Sequence, residues 1–218
     1  MALGTHEQFH SLLKEKKHVL ITSGTNTAGD GIASAIAIAL FLDAWNVRSD
    51  IIIDGFTDAE KYSFLPKTTT IRPSFEYLKK FILNIDISDT GVKELSYDID
   101  TDSNKLRIYI TPKRGEVERK DITTSESAYR YDAIVMLDAD DLESTGKLFE
   151  AHAPLFFETP LINIGHNASN EHYGNVNIVD VTASSTAEVV YEVFNTVGKE
   201  HISEDIATAL LAGMILSL

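Results

Sequence analysis

His18–Trp45 reads HVLITSGTNTAGDGIASAIAIALFLDAW, and the architecture of the chain follows from its pattern. His18 to Thr22 is a short apolar run with a β-branched centre, Ser23 to Gly31 is polar and glycine-containing, and Ile32 to Trp45 has helical apolar content. That is strand, loop, helix. Val47 to Asp54 follows with Ile51, Ile52 and Ile53 in succession, the continuous apolar run of a strand buried on both faces of a parallel sheet. Such a βαβ unit has a right-handed crossover and implies an α/β fold. Further on, Asp132–Asp138 (DAIVMLD) and Pro160–Gly165 (PLINIG) read as two more buried strands around a predicted helix from Leu142 to Ala151. The expectation is a three-layer α/β domain with a mainly parallel, doubly wound sheet.

Between the two halves the texture changes. Over Lys93–Ile110, Leu95, Tyr97 and Ile99 alternate with polar residues, as do Leu106, Ile108 and Ile110, with Thr101–Asn104 between them as a turn of small polar residues. This predicts an antiparallel hairpin insert at about 93–111, and Thr111–Arg130 reads as an exposed connection back to the sheet. Asn175–Val181 is a short strand. Ser184, Ser185 or Thr186 caps a helix running to about Val197 with Glu188 in its first turn, and Ser203–Leu218 is an amphipathic C-terminal helix. The domain expectation is residues 1–202 as one α/β domain and 203–218 as a helix or a linker toward a second domain.

The 218 residues are 44% hydrophobic and 24% charged, an ordinary globular composition with room for one good-sized core. There is no cysteine, so any metal would be held by carboxylates and imidazoles. A net charge of −14 disfavours long nucleic acid as a partner. The clusters at Lys14, Lys16 and Lys17 and at Lys113, Arg114, Arg119 and Lys120 read as solvated faces. No apolar run reaches the roughly 20 residues of a membrane span, and Met1–Lys17 is polar, so the expected location is cytoplasmic.

Two stretches carry chemistry. Ile21–Ile36 lies where a parallel strand hands over to a helix, the place where open α/β sheets bind ligands. Helix N-terminal N–H groups bind anions, so Thr25, Asn26, Gly29 and Gly31 are candidate phosphate contacts, although a structural turn explains the same residues. It is not a Walker loop, because no lysine follows the glycines. In the second stretch, Leu161–Asp180 (LINIGHNASNEHYGNVNIVD), His166 directly follows a strand, as Asp138 follows its own, and Asp30 opens the first helix. These three would converge at one sheet edge, and convergence of Asp, Asp and His is metal-site chemistry. Structural readings compete: Asp30 favours a helix N-terminus, His166 bonds to Asp138, and Asn170 holds a turn.

In order, the Asn26 loop with Gly29-Asp30, LDADD, NIGHNASN, YGNVNIVD and SSTAE resemble the N-terminal domain of the DHH phosphoesterases, which include RecJ-like exonucleases and small oligoribonucleases or nucleotide phosphatases. The resemblance covers roughly Lys17 to Val197. It implies two divalent cations, usually manganese, that activate a water against a phosphoester. The family's first motif, His-x-Asn-Pro-Asp-Gly-Asp, falls on Gly24-Thr25-Asn26-Thr27-Ala28-Gly29-Asp30, and its Asp-His-His falls on Gly165-His166-Asn167. Ligand positions are thus lost at Gly24, Ala28, Gly165 and Asn167 and retained at Asp30, Asp138 and His166. Asp140 and Asp141 are candidates to substitute. The resulting expectation is a degenerate phosphoesterase-like module without a resident cofactor, binding a nucleotide-like ligand or a protein, with homo-oligomerisation open. The alternatives are a surviving phosphoesterase using Mn2+ or Mg2+ on short oligonucleotides or nucleotides, and a structural or assembly subunit.

Overall fold

The computed structural model describes residues 4–25, 29–57 and 59–217. Its contacts divide the chain into two units, residues 1–78 with 129–218, and residues 79–128.

The first unit is built on five parallel strands in the order β2 (Arg48–Ile51), β1 (His18–Ser23), β7 (Ala133–Leu137), β8 (Leu161–Gly165) and β9 (Val176–Val179). With the inserted strands set aside this is the 2-1-3-4-5 order of a doubly wound sheet, whose direction of winding reverses between β1 and β7. Alternate strand residues feed two cores. Val19, Ile21, Val135, Leu137, Ile162 and Ile164 meet α1 (Thr5–Leu13), α2 (Gly29–Ala44), α4 (Thr186–Val197) and α5 (Glu204–Leu216) on one face. Leu20, Ile134 and Met136 face the opposite way, against Leu148, Leu155 and Phe156 of α3 (Lys147–Glu158). Three layers result, as the sequence implied.

Local chemistry sets the element ends. The helix expected at Leu142–Ala151 is a 3-10 turn at Glu143–Thr145, a break at Gly146 with φ +61°, and then α3, which is kinked at His152. Pro154 sits inside α3, where it has no N–H to donate to the helix, and the kink lies two residues before it. Of the three cap candidates it is Ser185 whose Oγ accepts from Glu188 N (3.0 Å), while Ser184 N and Oγ donate to the Glu188 carboxylate (2.6 and 2.7 Å). The helix α1 lies in a stretch read only as polar. It is amphipathic and buries Phe9 and Leu13 completely.

The C-terminal helix α5 belongs to this same core, burying Ile206, Ala209 and Leu210 against α2 and α4. Close approach needs small residues. A Cβ on Gly213 would stand 2.6 Å from the Ala187 Cβ and 3.0 Å from Asp30 Oδ1, and one on Gly29 would stand 2.7 Å from the Leu216 Cβ.

The second unit is wider than a hairpin at 93–111. The hairpin itself is present as β4 (Val92–Asp100) and β5 (Lys105–Pro112), closed through Asn104 at φ +51° with Asp100 Oδ1 accepting from Asp102 N and Ser103 N. Flanking it in sequence, β3 (Phe81–Ile85) pairs antiparallel with β6 (Ile122–Glu126). The stretch Thr111–Arg130 is therefore not merely a connection. Its strand was hidden because ITTSE is polar apart from Ile122 and its partner lies some forty residues earlier.

Candidate functional site

The site lies at the carboxyl edge of the sheet, where the winding reverses between β1 and β7. Asp138 directly follows β7, donates its N–H to Ile164 O (3.0 Å), and holds φ +50°, a left-handed conformation that aspartate tolerates better than most residues. Asp30 stands in the first turn of α2 and is 2% exposed. Its Oδ2 accepts from Thr186 N (2.7 Å), and its Oδ1 accepts from Ala187 N (2.9 Å) and Ser34 Oγ (3.2 Å). The helix N-terminus that Asp30 serves is thus that of α4, reached across 156 residues of sequence, and not only its own. Burial pushes its carboxyl above the ordinary aspartate value; the two backbone N–H groups oppose this, the nearby Asp138 adds to it, and His166 opposes it.

His166 follows β8 and does not bond Asp138 directly, since its Nδ1 is 3.9 Å from Asp138 Oδ1. Thr186 bridges them. Its hydroxyl donates to Asp138 Oδ1 (3.1 Å) and so must accept from His166 Nδ1 (3.0 Å), which places a proton on that ring nitrogen. Thr186 therefore touches Asp30, Asp138 and His166 alike, a role that reading it as one of three cap candidates could not show.

One ligand atom from each of Asp30, Asp138 and His166 lies within 4.8 Å of the other two. Three donors around one ion with bonds of about 2.1 Å stand about 3.0 to 3.6 Å apart, and only one pair of them can lie opposite at about 4.2 Å. The triad would have to draw together to hold one small dication. Two ions about 3.5–4 Å apart, each needing its own ligands, exceed what the three donors gathered among the described residues supply.

The substitute acids are engaged elsewhere. Asp140 accepts from Asn167 Nδ2 (3.2 Å) and Ser169 Oγ (2.6 Å), and Asp141 Oδ1 accepts from Ser144 N (2.7 Å) and Oγ (2.6 Å). At two of the positions where the resemblance expects ligands, the surroundings are tight. A Cβ on Gly24 would lie 3.1 Å from the carbonyl oxygen of Asp138, and one on Gly165 would lie 3.3 Å from Asn170 Nδ2. Asn170 does hold the turn, donating to Ala139 O (3.0 Å) while its Oδ1 accepts from Asn163 Nδ2 (2.6 Å) and His172 N (3.0 Å).

Of the phosphate candidates, Asn26 lies outside the described residues, as do Thr27 and Ala28, where the resemblance expects a ligand. Gly31 is buried within α2. Thr25 and Gly29 line a 320 Å³ cleft with Ile53, Asp54, Thr57 and Lys61, and Leu216 of α5 lies over Gly29. Lys61 was not singled out in the sequence, because no motif surrounds it.

A doubly wound parallel sheet with two carboxylates and an imidazole gathered at its switch point defines an α/β protein of the kind that binds ligands at the carboxyl edge. Within that class the chain belongs to the DHH family, whose N-terminal-domain model matches residues 18–214. It is similar in fold to an exopolyphosphatase-related protein from Bacteroides fragilis, with a TM-score of 0.66 at 18% identity over 98% of this chain and 49% of that one. The chain spans about half the length of that neighbour. No curated relative matches it. Among the described residues no helix is long and apolar enough to cross a membrane.

Proposed function

We propose that the chain is a catalytically degenerate DHH domain acting as a binding module for a phosphate-bearing, nucleotide-like ligand or a partner protein. The observation that carries this reading is the commitment of both Asp30 oxygens to the N-terminus of α4. The retained acid has become part of the framework, while the crowding at Gly24 and Gly165 supports a site that has closed over its lost ligands. The ligand would enter the cleft beside Thr25 and Lys61, where an ammonium and a hydroxyl suit phosphate oxygens. The name of the Bacteroides fragilis neighbour adds linear polyphosphate to the ligands worth testing.

One observation favours a second reading: the triad itself suits a single ion. Asp30, Asp138 and His166 would hold Mn2+ or Mg2+, which supplies Lewis-acid polarisation of a phosphate oxygen, and the chain would then hydrolyse short oligonucleotides or nucleotides. One ion cannot clamp both attacking and leaving oxygens, so this activity would be slow. The test is turnover of a generic phosphodiester and of a dinucleotide with excess Mn2+. The binding-module reading expects none above the level of Asp138→Asn; saturable turnover abolished by Asp138→Asn would establish the second reading.

A further inference from the structure

The cleft beside Thr25 and Lys61 has a carboxylate in its wall, which a site for phosphate alone does not explain. Asp54 lies shortly past Ile51, which pairs with Ile21 of β1, so it leaves the sheet at the same carboxyl edge as Thr25. The two side chains converge on Gly146: a Cβ there would stand 2.7 Å from Asp54 Oδ2 and 2.7 Å from the Thr25 methyl. Asp54 Oδ2 accepts from Lys147 N (2.9 Å) at the start of α3. That bond fixes the carboxylate, and among the described residues Asp54 Oδ1 has no hydrogen-bond partner. An acceptor held in place on a cleft wall calls for a ligand that donates.

Phosphate oxygens accept hydrogen bonds and are repelled by a carboxylate, so inorganic phosphate or linear polyphosphate gains nothing from Asp54. Ribose hydroxyls donate. In doubly wound sheets an acid at the end of the second strand, roughly 20 residues beyond the glycine-containing loop after the first, takes the hydroxyls of a nucleotide's ribose. Asp54 stands at the corresponding place relative to Gly29 and Gly31. The rest of the lining suits the rest of such a ligand. Ile53, Phe56 and Tyr62 form an apolar wall on which a base can lie, with the two ring centres 6.4 Å apart. The Lys61 ammonium stands over the Tyr62 ring, 5.2 Å from its centre. At 320 Å³ the cleft is at the small end of ligand sites, which run from about 300 to about 1,000 Å³, so it takes one nucleotide and not a chain.

The geometry points to a ribonucleoside 5′-monophosphate as the ligand of this cleft, with Asp54 Oδ1 accepting from the vicinal ribose hydroxyls and thereby selecting ribose over deoxyribose. A vicinal diol requires the phosphate on the 5′ carbon. This inference rests on the reading of the chain as a module for a nucleotide-like ligand, and adds the sugar and the residue that reads it.

NMR titration of the full chain with adenosine 5′-monophosphate, its 2′-deoxy analogue, inorganic phosphate and tripolyphosphate tests it. The ribonucleotide is expected to bind about 10-fold more tightly than the deoxynucleotide, a comparison on the native chain that needs no substitution. In Asp54→Asn the side-chain oxygen can still accept from Lys147 N, while the amide nitrogen turned to the cleft cannot accept from ribose. That variant should lower the ribonucleotide affinity to that of the deoxynucleotide and leave the latter unchanged. Lys61→Gln should weaken both nucleotides alike. Equal affinity for the two nucleotides, or a ribose preference that survives Asp54→Asn, would overturn the role of Asp54 and leave the nucleotide reading standing. Tripolyphosphate binding more tightly than either nucleotide would overturn the inference and leave a phosphate site. No binding of any of the four up to about 10 mM would overturn the inference and the nucleotide reading together.

Discussion

The two edges of the central sheet each gather charge around one aspartate, and they solve the problem differently. At the amino edge, Asp50 Oδ2 accepts from His18 Nε2 (3.1 Å), Tyr131 Oη (2.9 Å) and the Arg130 guanidinium (2.9 Å), and Arg130 also reaches Glu76 (3.5 Å). A full cation answers the carboxylate, and the cluster is complete within the chain. At the carboxyl edge, Asp30 is answered by two backbone N–H groups and a hydroxyl. Dipoles, not a cation, hold it, and burial drives its carboxyl toward the protonated form. The first edge is a structural ion network. The second gathers two carboxylates and an imidazole, and one of those carboxylates, Asp30, caps the helix α4.

Removing each aspartate separates the two cases. Asp30→Ala orphans the buried N–H groups of Thr186 and Ala187 and should cost about 3 kcal/mol in urea unfolding. Asp30→Asn should cost about 2 kcal/mol, because its amide nitrogen must face one of those donors. A change under about 0.5 kcal/mol for either variant would mean that Asp30 does not anchor α4. Asp50→Ala leaves the nearly buried Arg130 and the Tyr131 hydroxyl without their acceptor, and about 2 kcal/mol is expected, reduced by the residual solvent access to Asp50.

The amino edge also predicts a pH dependence. Burial lowers the His18 pKa below its ordinary value, against the attraction of Asp50 and with the help of Arg48 and Arg130. The folded state therefore binds that proton less readily than the unfolded chain. Stability from this group is complete above about pH 6.5 and is lost as pH falls from there toward the lowered folded value. Denaturation at several pH values should show this loss, and His18→Gln should flatten that part of the profile. The smallest effect is expected at the bridge between the retained groups. Thr186→Val removes the hydroxyl linking His166 and Asp138 and should cost about 1 kcal/mol, with the His166 ring resonances shifting as Nδ1 loses its acceptor. Unchanged resonances would mean that the bridge is not populated.

The parallel sheet was legible because Ile51–Ile53, DAIVMLD and PLINIG are apolar runs that only strands buried on both faces require, and the hairpin because Leu95, Tyr97 and Ile99 alternate. The meeting of Asp30, Asp138 and His166 followed from their positions at strand and helix ends along one edge. What could not be read depends on distant partners. Nothing near Asp30 in sequence says that it caps α4, and nothing near Thr186 says that its hydroxyl joins a histidine to an aspartate. The strand β6 was missed for the same reason, since a polar run shows itself as a strand only through its pairing with β3. The helix α1 was legible in principle: Phe9 and Leu13 lie four apart on one face.

On the proposed reading, Asp30, Asp138 and His166 hold at most one ion and serve the framework first. Titration calorimetry with Mn2+ on the native chain tests it most directly, beside a chain carrying Gly24→His, Ala28→Asp, Gly165→Asp and Asn167→His. The native chain should take up no more than one equivalent, weakly, and the replaced chain should gain affinity if the Asp138 loop yields to the new side chain at position 24. Tight uptake of two equivalents by the native chain would contradict the claim.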